Sequence, residues 1–399
     1  YIFYNTTIIN SFYSGDELQT QRANYEKDLK QFQYINHPTL TAISMKVELY
    51  PSKRHFDATG QYTLVNKSKK PIGEVHVQLN TSRYLELKEL TFNRASKLLK
   101  QYEQHGYIIY KLASELLPND SLKMDFAMSF LAEGFVDNFE NTDVVHNGTF
   151  FGNHYFPSLG YNEQYELSSK RQDYGLQPKH AVKSEDPTVR SGVWRNLYGD
   201  DADYVSLELV IGTDKGQTAI APGNLLREWE EGGRSYFRYK TDKPMINFYA
   251  IASGQYQKLE DTVTVMGKNI KLEIYYHDGH PYNVNNMMAS MKKSLHYYSR
   301  NYSLYPFDQL RLVEFPRYRK SAQSYANTIM FSEGMGFLFD NKVEDLDVVF
   351  AVTAHEVAHQ WWGHQIAPAS VAGYGMLTET LAQYSAMMVL KETYPAHQL

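Results

Sequence analysis

Between residues 39 and 255 apolar and polar positions alternate with a period of two. Met45-Lys46-Val47-Glu48-Leu49 and Val205-Ser206-Leu207-Glu208-Leu209 each send every second side chain to one face, as a half-buried strand does. Glu231-Gly232-Gly233 separates two aromatic-rich runs and reads as a hairpin turn. Short strands broken by such turns predict a mostly antiparallel β unit, a sandwich or a saddle-shaped pair of sheets, with no internal repeat of fixed period. After Leu272-Glu273-Ile274-Tyr275-Tyr276 the period lengthens toward four. Met287, Met288, Met291, Leu295 and Tyr298 form one stripe, which predicts an amphipathic helix over residues 284–302 with the methionines as core filler. Strands are expected at Leu310-Arg311-Leu312-Val313 and from Ser324 to Ser332. A helix is expected to start at Val343, on Val343, Leu346, Val349, Phe350 and Val352, and a last one to span Leu377 to Lys391 with Leu377, Leu381, Tyr384 and Met388 on one side. The fold class is therefore α+β, divided into a helical lead-in over residues 1–38, a β saddle or sandwich over 39–255, and a mixed α/β unit over 256–399.

Composition narrows the chemistry. With 43% hydrophobic and 14% aromatic residues the 399-residue chain has enough apolar material for two cores. Forty basic and 45 acidic residues give a net charge of −5, with neither a basic face for nucleic acid nor an acidic tail. There is no cysteine, so thiolate nucleophiles, disulfides and cysteine-ligated metals are excluded, and any ion must be held by His, Asp or Glu. No run of 18 apolar residues is present to span a membrane. The chain opens without Met, at Tyr1-Ile2-Phe3-Tyr4, and reads as a piece of a longer polypeptide. Its aromatic residues suit either the last turn of a transmembrane helix at a membrane interface, with a charged helix from Asp16 to Lys30 beyond them, or an ordinary frayed terminus.

Candidate chemistry concentrates in His355-Glu356-Val357-Ala358-His359. Histidines four apart on a helix share one face and can meet a single ion. Two imidazoles and one carboxylate with an open fourth position suit catalytic zinc. Glu356 projects from the flank of that face, where it can take a proton from a water activated by the ion. Glu379 is the only carboxylate between Val357 and Lys391, and it stands at the start of the next predicted helix as the third ligand. His364 falls off the ligand face and is expected to be a surface or supporting histidine. His277-Asp278-Gly279-His280 has donor spacing but lies in a predicted loop, and spacing alone does not make it a second site.

These residues resemble the gluzincin aminopeptidases, the zinc peptidase family that includes membrane alanyl aminopeptidase and leukotriene hydrolase. The resemblance covers most of the chain from about residue 40. It is carried by Tyr305-Pro306-Phe307-Asp308-Gln309-Leu310-Arg311-Leu312-Val313, by Phe248-Tyr249-Ala250-Ile251-Ala252-Ser253-Gly254, and by His355 to Trp361. It implies a thermolysin-like catalytic domain, of which this chain holds the first half, and one zinc ion on His355, His359 and Glu379 with Glu356 as general base. It also implies a peptide substrate laid along the strand near Gln323 to Thr328, with the β half closing one side of the cleft.

Three departures qualify that implication. The family's usual gap of eighteen residues before the glutamate ligand is nineteen here, residues 360–378, an insertion expected in the loop between helices. The family's Gly-Ala-Met-Glu-Asn substrate motif falls on Ser321-Ala322-Gln323-Ser324-Tyr325, so Ser324 replaces the glutamate that grips a substrate's free amine. Ala322, Gln323, Ser324 and Tyr325 are thus the expected substrate-binding residues, without strict aminopeptidase specificity. The family's oxyanion-stabilising tyrosine has no evident counterpart, Tyr374 and Tyr384 being merely nearby. Tyr4-Asn5-Thr6, the run from His359 to His364 and Ser324 are similar to peptidase domains fused to bacterial transporter permeases. That subgroup implies an extracytoplasmic location and a membrane-embedded portion of the same polypeptide. The alternative expectation is a zinc-stabilised module of such a transporter that binds peptides or partner proteins without cutting them.

Overall fold

The structure, a computed structural model, describes residues 2–10, 13–136, 141–179, 182–183, 197–199, 201–340 and 346–395. It is α+β, mostly sheet with few helices. The alternating region builds one large sheet in the order Asn224–Glu231, Arg234–Lys240, Ala202–Asp214, Thr39–Tyr50, His55–Val65, Ser121–Leu131, Leu85–Phe92. Neighbours on this path are antiparallel except Thr39–Tyr50 and Ala202–Asp214, which run parallel with Met45 opposite Leu209. The period of two is resolved there. Met45, Val47, Leu49, Val205, Leu207 and Leu209 are buried, while Lys46 and Ser206 point to water. Gly232 and Gly233, at φ 58° and 75°, form the two-residue turn between Asn224–Glu231 and Arg234–Lys240. Smaller sheets of four and three strands complete this half, and Phe56 stacks between Phe130 and Phe151 at 5.2 and 4.9 Å in its core. The charged helix at the N-terminal end spans Gly15–Leu29. Ser14 and Glu17 cap it reciprocally, and Tyr25 and Leu29 pack on Tyr107, Ile109 and Tyr161. Tyr1 lies outside the described residues, and no helix among those described is long and apolar enough to cross a membrane.

The second half is a five-stranded sheet ordered Tyr256–Val265, Lys268–His277, Gln309–Phe315, Thr328–Ser332, Ala322–Tyr325. Lys268–His277, Gln309–Phe315 and Thr328–Ser332 are parallel, and Ala322–Tyr325 returns antiparallel as the edge. Every residue of Gln309–Phe315 is buried, as expected of an inner parallel strand covered on both faces. The methionine stripe lies on the helix Val284–Asn301, with Met287, Met288, Met291, Leu295 and Tyr298 buried. Against it packs the helix Val348–Ala358, tied by hydroxyl donation from Ser290 to Phe350 O and from Tyr298 to Ala354 O.

Three expectations about elements change. The histidine-bearing helix starts at Val348 and not at Val343, because Asp347 caps it through the Phe350 N–H; Leu346 stays outside the helix, and Val343 lies outside the described residues. The stretch Ser324–Ser332 is a hairpin and not one strand, since Asn327 takes a left-handed conformation at φ 52°. The last helix is a π turn over Met376–Thr380 running into an α-helix over Leu381–Thr393. Its buried face is Ala382, Ser385, Ala386, Val389 and Leu390, whereas Leu377 and Tyr384 are exposed. The wider turn shifts which residues meet the neighbouring helix, which a uniform helical period does not anticipate.

The halves meet at a buried polar joint. Arg311, 2% exposed in the middle of the second sheet, donates from Nε to Glu273 at 2.7 Å and from Nη1 to the carbonyls of Ala221 at 3.1 Å and Gly223 at 3.4 Å. The Gly223 N–H donates to the Asn327 side-chain oxygen at 3.1 Å. Gly223 sits at φ +97°, where an added Cβ would lie 2.6 Å from Lys240 C; Gly216, at φ +83°, has nothing within 4 Å. Gly223→Ala is therefore expected to cost more than about 2 kcal/mol and Gly216→Ala only about 1, as read by denaturant unfolding; equal costs would show that Gly223 is not tightly packed against Lys240.

Candidate metal centre

His355 and His359 face one another because both retain helical backbone angles, although the α-helix proper ends at Ala358 and His359 is its C-cap. Their Nε2 atoms are 3.0 Å apart, and Glu379 Oε2 lies 3.4 Å from the first and 3.7 Å from the second. The three residues proposed from spacing thus come together, with donor atoms within 4.8 Å of one another. Glu379 reaches them from the π turn. Such a turn holds one residue more than an α turn.

The set fits a zinc ion on its own chemistry. His359 Nδ1 lies 3.0 Å from the Trp362 carbonyl, an acceptor that makes this nitrogen the protonated one and leaves Nε2 as the free donor. Burial and the neighbouring His359 hold His355 below the usual imidazole range, which favours the neutral, ligating form. Glu379 is largely exposed, on the open side of the group.

Glu356 is not one of the three grouped donors. It is 6% exposed, its Oε2 has no hydrogen-bond partner, and burial together with the charge of Glu379 pushes its carboxyl up to about 8 against the pull of the Ser324 N–H. A buried carboxylate beside a second one, with an unsatisfied oxygen, is a group that needs either a proton or a nearby cation.

The expected substrate residues form the edge strand Ala322–Tyr325, which packs on the histidine helix. Ser324 is buried, and its hydroxyl accepts from Gln360 Nε2 at 2.7 Å, so where the resemblance puts an amine-gripping glutamate the chain has an internal hydrogen bond. The Ser324 carbonyl is 3.0 Å from His364 Nε2. His364 is therefore not at the surface but buried under the strand, held there because Gly363, at φ +122°, turns the chain back after the helix. Tyr325 is buried as well, Ala322 partly so, and Gln323 is exposed. Tyr374 and Tyr384 are surface residues, 44% and 54% exposed.

Gln360 is the residue that reasoning from the motif missed. It is fully buried and donates to Ser324 Oγ and to the Tyr325 carbonyl, at 2.7 and 2.8 Å, while accepting from the Asn327 N–H at 2.8 Å. A polar residue next to the second His on an otherwise apolar run was the available signal. Tyr198 and Tyr204 of the β half also approach. Tyr204 Oη donates to the carbonyls of His364 and Gln365, both at 3.1 Å, and the Tyr198 ring lies beside Phe248, its hydroxyl so near Gly363 that a Cβ added there would meet it at 2.9 Å. Gln360→Leu would leave a buried N–H and a buried carbonyl unpaired, so it should cost about 2–4 kcal/mol in denaturant unfolding, with a loss below about 1 refuting the role.

Comparisons with known proteins bear on the same region. The profile described as peptidase family M1 domain matches residues 282–399. The fold is similar to that of an M1 zinc metallopeptidase from Deinococcus radiodurans, with a TM-score of 0.62 at 14% identity over 90% of this chain and 71% of that one. It is likewise similar to a mutant of that metallopeptidase bound to a Tyr-Ser-Ala substrate, with a TM-score of 0.63 at 13% identity over 90% of this chain and 72% of the other. No curated protein sequence matches. Residues 282–399 are therefore similar to the domain of peptidase family M1, and the fold is similar to that of M1 zinc metallopeptidases across most of the chain.

Proposed function

We propose that the protein hydrolyses peptides with one zinc ion held by His355, His359 and Glu379, and with Glu356 as general base. The observation that carries this reading is the convergence of those three donors beside a buried carboxylate whose Oε2 has no hydrogen-bond partner. Zinc in that set supplies Lewis-acid chemistry: it makes water nucleophilic and polarises the scissile carbonyl. Glu356 takes the proton of the attacking water and passes it to the leaving nitrogen.

The substrate lies along the edge strand. The Ser324 N–H and carbonyl already face Glu356 and His364, and alternation along the strand turns the N–H and carbonyl of Ala322 to the same outer edge. Ala322 and the exposed Gln323 are thus the part of the strand open to a peptide, which would add as a further strand. Ser324 offers no charge for a substrate ammonium group. The reading is therefore a peptidase without a strict need for a free N-terminus. An extracytoplasmic location belongs to the same proposal, supported by the exposed apolar residues Ile2 and Phe3 at the N-terminal end.

Two measurements test it. Glu356→Gln should lower kcat by about 10²–10⁴-fold while the zinc content of the protein is unchanged, and retained turnover would refute the assignment of the base. N-acetylated and free-amine forms of one peptide should be cleaved with kcat/KM values within about tenfold, because a charge-assisted hydrogen bond to the amine is worth about 1.5–3 kcal/mol and none is available here. A strong preference for the free amine would restore an aminopeptidase. Binding of both forms with cleavage of neither would favour the non-cleaving module.

A further inference from the structure

We infer that His277, His280 and Glu314 form a second divalent-cation site, one that fastens the fold and does not take part in hydrolysis. The group is built on the second sheet from residues distinct from the His355, His359 and Glu379 set. His277 ends the strand Lys268–His277, and a turn follows in which the His280 N–H donates to the His277 carbonyl at 3.0 Å. Gly279, at φ +85°, supplies the left-handed step that folds the two imidazoles together, their ring centroids 6.0 Å apart. Glu314 comes from the adjacent parallel strand Gln309–Phe315, whose Val313 is paired with Tyr275. The three donors lie within 4.8 Å of one another.

Two features go beyond proximity. First, Glu314 is fully buried, and among the described residues its ion-pair partners are these two histidines alone: Nδ1 of His280 bonds its Oε1, and Nδ1 of His277 lies 3.4 Å from its Oε2. The His277 N–H also donates to the carboxylate, at 2.6 Å from Oε2. A carboxylate shut away from water with no lysine or arginine beside it requires another source of positive charge. Second, both ring nitrogens of His277 are closed off from solvent and neither makes a hydrogen bond. An imidazole whose two nitrogens are both shielded from water and make no hydrogen bond is unusual and asks for something to occupy its lone pair.

A divalent cation between the three residues answers both needs, accepting the lone pair of His277 and neutralising Glu314. Imidazole and carboxylate bonds to zinc run to about 2.0–2.2 Å, so the donors would close on the ion by small side-chain rotations. Two imidazoles with one carboxylate favour zinc or a similar transition metal over magnesium or calcium. The place suits a structural role. The site clasps the ends of two parallel strands just before the segment that leads to the edge strand Ala322–Tyr325. Gly148 of the β half presses on it so closely that an added Cβ would meet Pro316 Cδ at 2.5 Å and His277 Cε1 at 3.6 Å.

The test counts zinc on the purified protein, stripped with a chelator and dialysed against Zn²⁺, by plasma mass spectrometry. Two equivalents per chain are expected in the wild type, one in His280→Ala, one in His355→Ala, and none when both are combined. A single equivalent that survives His280→Ala and is lost in His355→Ala would overturn this site and leave the peptidase reading intact. A single equivalent lost in His280→Ala and kept in His355→Ala would do the reverse. Because Glu314 is too deep to be replaced safely, the second readout uses the folded His355→Ala protein. Added Zn²⁺ should raise its unfolding temperature by several degrees, and an unchanged temperature would show the cluster to be an ion-pair network only.

Discussion

The carboxamide of Gln360 is clamped between two elements that are far apart in the chain, and the geometry of the cleft follows from that clamp. On one side it continues the helix that carries His355 and His359; on the other it holds the hairpin Ala322–Ser332 through Ser324, Tyr325 and Asn327. Inside a dry interior an amide that makes three hydrogen bonds is hard to displace, since each group released would be left unpaired. Strand and helix are thereby kept at one separation. That separation sets how near Glu356 comes to the Ser324 N–H, and how near a peptide on the strand would come to the donors His355, His359 and Glu379.

The clamp is extended by the joint between the halves. Asn327 receives the Gly223 N–H from the β half and gives its own N–H to Gln360, so a single left-handed residue connects both sheets and the metal helix. Arg311 beneath it is buried with Glu273 and satisfies the Ala221 and Gly223 carbonyls. Buried charge of this sort contributes little net stability, yet it specifies one arrangement, because any sliding of the halves would strand a guanidinium in an apolar core. The β half therefore takes part in the site by position. Tyr204 holds the carbonyls of His364 and Gln365 in place, and Tyr198 covers the turn at Gly363.

Electrostatics around the ligands follow from the same enclosure. Glu356 is pushed upward because the helix buries it and because Glu379 is near, and burial together with the neighbouring His359 holds His355 below the usual imidazole range. Glu379, on an exposed π turn, escapes that burial. The ligand shell is thus half rigid and half open, with the opening on the side where a substrate would enter.

Much of this was legible from residue order, because it depends on periods that are local. Strand alternation at Met45–Leu49, the Gly232-Gly233 turn, the methionine stripe of Val284–Asn301 and the i, i+4 pair His355 and His359 each rest on backbone geometry spanning a few residues. Glu379 was found because no other carboxylate competed for its place. What escaped were features set by partners distant in sequence. The buried face of the last helix depends on a π turn, the start of the metal helix on a cap by Asp347, and the burial of His364 on a strand 40 residues away. The same holds for His277 and His280, whose spacing meant little until the parallel sheet laid Glu314 beside them. Sequence alone determined the donors and their local spacing. Tertiary structure decided which donors come within reach of one another and which are shielded from water, since distance and burial between remote segments arise only when the sheets and helices pack.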